Sequence, residues 1–68
     1  MKLIVNGHEE HWNDGADVAT IVRRLGQDPS RPGLAVARNG DVIPRRQWAD
    51  IHLADGDRVE VVRAVQGG

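Results

Sequence analysis

Few side chains in this 68-residue sequence could carry chemistry, and most of those fail on spacing. His8 and His11 are separated by two residues, a useful ligand spacing on a helix, but on a strand they point to opposite faces. They read as surface residues. Asp55-Gly56-Asp57 looks like the opening of a calcium loop, yet Val59 stands where a third oxygen ligand is needed and no Glu closes it. It reads as a turn. None of the eight glycines forms Gly-x-Gly-x-x-Gly or a phosphate loop, so no nucleotide or cofactor site is expected on the chain itself. The sequence has no cysteine, hence no disulfide framework, zinc pattern or thiol nucleophile. Arg45-Arg46 is a basic pair, but a net charge of −1 and two Trp give a nucleic-acid surface little support.

What remains is Gly67-Gly68. Two residues without Cβ make a thin, pliable strand end that fits a narrow active site of another protein. A free carboxylate is a poor electrophile. Attack on the α-phosphate of ATP would turn it into an acyl adenylate, whose AMP leaving group lets a sulfur or nitrogen nucleophile take the carbonyl. The alternative is a frayed end that does nothing.

These residues need a scaffold, and the hydrophobic periodicity supplies one. Met1 to Val5 alternates and runs into Asn6-Gly7, a pair suited to a type I′ turn, so the chain should return through His8 to Trp12. That register pairs Val5 with His8, Leu3 with Glu10 and Met1 with Trp12. Glu10 then shares the apolar face, and we expect it near an edge with its carboxylate reaching water. Val18, Ile21, Val22 and Leu25 fall at i, i+3, i+4 and i+7, predicting an amphipathic helix capped by Asp17 and ended at Gly26. Leu34 to Arg38, Asn39-Gly40 and Val42-Ile43 predict a second hairpin, cut short by Pro44. Arg45 to Asp50 reads as a short turn or one-turn helix presenting Trp48, and Arg58 to Val65 as the last strand. On that strand Val59 and Val61 face the core, leaving Val62 on the other side.

Two hairpins, one helix and a final strand make an α+β domain with the helix on one sheet face and the other face open. A chain this short buries roughly 60% of its unfolded surface, which leaves no room for both a core and a substrate cavity of several hundred Å³. An autonomous enzyme is not expected. The longest early apolar run, Leu3-Ile4-Val5, is far short of a signal or membrane segment, so a cytoplasmic location is expected.

Asn6-Gly7, Leu25-Gly26, Ala35-Val36-Ala37-Arg38-Asn39-Gly40, Val42-Ile43-Pro44-Arg45, Trp48, Leu53, Asp55-Gly56-Asp57, Val59-Glu60-Val61-Val62 and Gln66-Gly67-Gly68 together resemble the ThiS family. These are small sulfur carriers of thiamine biosynthesis with the ubiquitin-like β-grasp fold. The resemblance spans nearly the whole chain and implies a mixed sheet of four to five strands with one main helix, in a single domain 1–68 with a flexible tail 66–68. It also implies that Gly68 is adenylated by a ThiF-like activating enzyme using ATP and magnesium, with Gly67 beside it. A persulfide protein would then supply sulfur for a thiocarboxylate, and a ThiG-like thiazole synthase would receive it. Cysteine is not needed for that chemistry. The fold analogy places the first and last strands side by side and parallel, making Ile4 and Val62 neighbours on the open face. With Val65 and Gln66 they would form the partner-binding surface leading to the tail. Carriers of the molybdopterin or cysteine pathways and ubiquitin-like protein modifiers remain as alternatives, and neither nucleic acid nor membrane is an expected partner.

Overall fold

The computed structural model describes residues 1–64. Strand β1 (Lys2–Val5) enters the Asn6-Gly7 turn, where φ is +49° and +84°, and returns as β2 (His8–His11). Positive φ at both positions is what a type I′ turn demands, and Asn-Gly is the pair that tolerates it. The register is the expected one, Val5 opposite His8 and Leu3 opposite Glu10. It continues to Trp12, whose amide donates to the Met1 carbonyl at 2.8 Å. Leu3 and Val5 are buried, and Trp12 packs against the core cluster to which they belong. Glu10 does not simply reach into water. Its carboxylate is half-buried and accepts a bond from Trp12 Nε1 at 3.1 Å, which accounts for an acid on the apolar side of an edge strand.

Helix α1 (Val18–Arg24) buries Val18, Ala19, Ile21 and Val22. Asp17 caps it, accepting the Thr20 amide at 2.7 Å, and this bond holds the Asp17 carboxyl below its usual range. The Val18 and Ala19 amides have no acceptor within the helix; they donate to the carbonyls of Ile51 and Trp48, each at 3.1 Å. The segment after the second hairpin is thereby stitched to the helix start.

Strands β3 (Leu34–Arg38) and β4 (Asp41–Ile43) close over Asn39-Gly40, with φ of +51° and +88°. Past Pro44, a single 3-10 turn (Arg45–Gln47) carries Trp48 inward. The turn presents Trp48, as the sequence reading has it, and presents it to the core, where the residue is only 3% exposed. Its Nε1 donates to the Ile43 carbonyl at 2.9 Å, and the Arg45 guanidinium covers the ring at 4.5 Å from its centroid. Burial is acceptable because the one polar atom is paired.

Strand β5 (Arg58–Arg63) completes a five-stranded sheet in the order β2-β1-β5-β3-β4. It runs parallel to β1 and antiparallel to β3. The expected α+β class with a β-grasp arrangement, a mixed sheet under one helix, is what the chain adopts. The last strand in sequence therefore sits in the middle of the sheet.

Asp57 secures the start of that strand. It is 7% exposed, and Oδ2 accepts bonds from Arg38 Nε and the Ala54 amide, both at 2.8 Å. Its Oδ1 accepts from Asn39 Nδ2 at 3.0 Å, while Asn39 Oδ1 accepts the Arg58 amide at 2.9 Å. The Asp57 carbonyl, in turn, accepts the Ile4 amide at 2.9 Å. One residue thus joins both neighbours of β5. Burial alone would push the Asp57 carboxyl up, but the bonds from Ala54, Asn39 and Arg38 outweigh it, and the carboxyl sits below its ordinary value.

A carboxyl with a depressed folded pKa contributes its full stability above the unfolded value, near 3.8, and loses it as pH falls through the lower folded value. Asp57→Asn should cost about 2 kcal/mol at neutral pH by disrupting the hydrogen-bonded set. Its thermal midpoint should also fall less than wild type's on acidification below about pH 4, since Asn does not titrate. Thermal unfolding followed by circular dichroism at neutral and acid pH checks both.

Candidate functional site

The candidate site is the end of β5 and the open sheet face beside it. Gly67 and Gly68, proposed to carry the chemistry, lie outside the described residues, as do Val65 and Gln66. The structure describes the platform from which they leave.

Ile4 and Val62 both face away from the helix, but they are not neighbours. The parallel register sets Ile4 beside Arg58, whereas Val62 pairs with Ala35 on β3. Four residues of strand separate the two positions, about 13 Å. The chain turns out of β1 at Asn6, before β5 reaches Val62, and no backbone of β1 is left to stand beside it. A joint Ile4–Val62 patch is therefore corrected to two separate apolar positions. Ile4 is half-buried, while Val62 is 57% exposed.

Val42 on β4, which the sequence reading left unassigned to any surface, is 74% exposed. It pairs with Ala37, and Val36 with the buried Ile43, so Val42 and Ala37 share the open face with Ala35 and Val62. The signal was available. In a hairpin whose buried residues are Val36 and Ile43, strict alternation sends Val42 outward. Arg58 and Glu60 bring charge to the same face.

On the helix side, a hollow of about 160 Å³ near the strand exit is lined by Asn6, Leu25, Gln27, Leu34, Val61 and Arg63. That is below the size of a small-molecule site. Among the described residues no group of three metal-ligating side chains comes together, and His8 and His11 stand exposed on β2. No helix among these residues is long and apolar enough to cross a membrane.

With that geometry in view, comparison with known proteins decides the family. The profile of the ThiS family matches residues 2–68. The chain belongs to the ThiS family. Over its full length it is 29% identical to the sulfur carrier protein ThiS of Escherichia coli, covering all of that protein. It is 34% identical to a thiazole synthase of Paramagnetospirillum magneticum, of which it spans only 20%. Its fold superposes on the crystal structure of a thiamine biosynthesis protein (ThiS) from Geobacter metallireducens with a TM-score of 0.82, at 27% identity and full coverage of both chains. The solution structure of a thiamine biosynthesis protein from the same organism gives 0.80, also at 27% identity, with 88% of that chain covered. As a ThiS-family chain it is similar over its whole length to a protein named a sulfur carrier.

The two faces of β5 in this ThiS-family chain should respond differently to charge. Val61 is half-buried, so the stringent core position is Val59, which is fully buried. Val62→Asp should change stability by less than about 0.5 kcal/mol, because the carboxylate stays hydrated. Val59→Asp should prevent stable folding by placing a charge in the core. Urea unfolding of both variants tests this.

Proposed function

We propose that Gly68 is the reacting residue and that the protein is a co-substrate passed between enzymes. A carboxylate oxygen of Gly68 attacks the α-phosphorus of ATP on a ThiF-like enzyme, and pyrophosphate leaves. Magnesium would serve that enzyme, and no cofactor is held by this chain. The terminal sulfur of a protein persulfide then attacks the acyl carbon, and AMP leaves. A second thiol cleaves the resulting S–S bond, and sulfur remains on Gly68 as a thiocarboxylate. A ThiG-like thiazole synthase in the cytoplasm is the receiver.

The observation carrying this reading is that the family match runs through the Gly-Gly end of a chain whose central strand leads directly to it. The thiazole synthase relative supports that choice of receiver, since a stretch of it is similar to this entire chain.

Geometry adds a constraint. The four residues after Ala64 extend at most about 14 Å, so an enzyme that reaches Gly68 must lie against the surface around the end of β5. Val62, with Ala35 beside it, is on that surface. Val65 and Gln66 would enter the partner with the tail, and Ile4, farther back, would meet it at the rim.

Co-expression with the activating enzyme and a sulfur source should exchange one carboxylate oxygen of Gly68 for sulfur, read by intact-mass analysis. An unchanged mass, under conditions that convert an established carrier, would overturn the assignment. Removing Gly67 and Gly68 should leave the thermal midpoint nearly unchanged and abolish adenylation.

A further inference from the structure

The two edges of β5 are held by different means. On the β3 edge, backbone pairing continues through Leu34 opposite Arg63, and the Ala64 amide donates to the Gly33 carbonyl at 2.6 Å. On the β1 edge it stops early. Ile4 and Val5 pair with Arg58 and Val59, and the Asn6 amide donates to the Val59 carbonyl at 2.9 Å. Had β1 continued straight, the backbone carbonyl of Asn6 would be the next acceptor, facing the Val61 amide. The chain turns instead, with φ of +49° at Asn6. The side-chain Oδ1 of Asn6 takes the vacant place, 2.8 Å from the Val61 nitrogen.

From this geometry we infer that Asn6 is a positioning residue for the transfer chemistry: its side chain clamps β5 at Val61 and so sets the line along which the tail leaves the fold. The inference rests on the carrier reading above. Among the described residues this is the bond nearest the tail on the β1 edge. Without it, the end of β5 is held only through β3 and can swing about that ladder. Gly68 lies only four residues beyond Ala64, so a swing of the strand end widens the range of positions from which its carboxylate approaches, and the fraction of docked molecules whose carboxylate meets the α-phosphate falls. Binding of the folded body is unaffected, so the loss belongs in kcat.

Two substitutions separate the clamp from the turn. Asn6→Gly keeps a residue content with positive φ and removes the acceptor, whereas Asn6→Asp keeps both. Both variants should fold. In Asn6→Gly, hydrogen exchange of the Val61 amide should quicken about two- to tenfold, the weight of one hydrogen bond, while Val36 and Val59 stay as in wild type. The kcat for adenylation by the activating enzyme should fall by a similar factor with KM little changed, and Asn6→Asp should match wild type in both readouts. Equal conversion of wild type and Asn6→Gly would overturn this inference alone, as would unaltered exchange at Val61 or failure of Asn6→Asp to rescue. No conversion of wild-type protein would overturn the carrier reading and this inference together.

Discussion

The structure depends on placing the last strand of the chain between two strands made much earlier. β5 lies between β1 and β3, so every backbone group along it needs an acceptor or donor from a distant segment. Asp57 meets that requirement at the strand's start, tying Arg38, Asn39 and Ala54 to the residue whose carbonyl also receives the Ile4 amide. Leu3, Val5, Val36 and Val59 can form one buried layer beneath Val18, Ile21 and Val22 only because the strand is held there. The burial of these side chains, at about 1.5–3 kcal/mol each, is the main favourable contribution, and the polar set decides which arrangement collects it.

The same two Asn-Gly turns that fold the hairpins also finish the central strand. Asn39 meets β5 at Arg58 and Asn6 meets it at Val61, one on each side, using side-chain amides where the neighbouring backbone has already turned away. A Gly-Gly turn would bend the chain equally well. Asn adds an amide that can imitate the peptide group of a strand.

A carrier needs little more than this. Under the proposed function its chemistry would occur in active sites supplied by other proteins, so the domain has no need to enclose a substrate, and its core can occupy nearly all of its interior. What it must provide is a firm body, a short tail and a surface by which enzymes recognise both. The face away from the helix carries Val62, Ala35, Ala37 and Val42 among charged neighbours, and under the proposed function it would meet the last need.

By itself the sequence determined the elements and their order. Alternation at Leu3 and Val5, the i, i+3, i+4, i+7 spacing from Val18 to Leu25, and positive-φ residues at both hairpin turns are local signals, and local sterics enforce them. The Gly-Gly end and the residues shared with a known family were equally legible, because both can be read along the chain. Contacts between distant segments were not. Nothing near Asp57 in sequence indicates that Arg38 and Asn39 will close on it, or that Asn6 will reach Val61, and the ring of Trp48 turns inward because the Ile43 carbonyl waits there. Likewise, periodicity turned Ile4 and Val62 each away from the core and the family resemblance made them neighbours, but their separation follows from the parallel register of β1 on β5, which is set by where β1 must turn. A strand pattern has a period of two and specifies a face; position along the neighbouring strand is decided only when the side chains of the two segments pack and bond together.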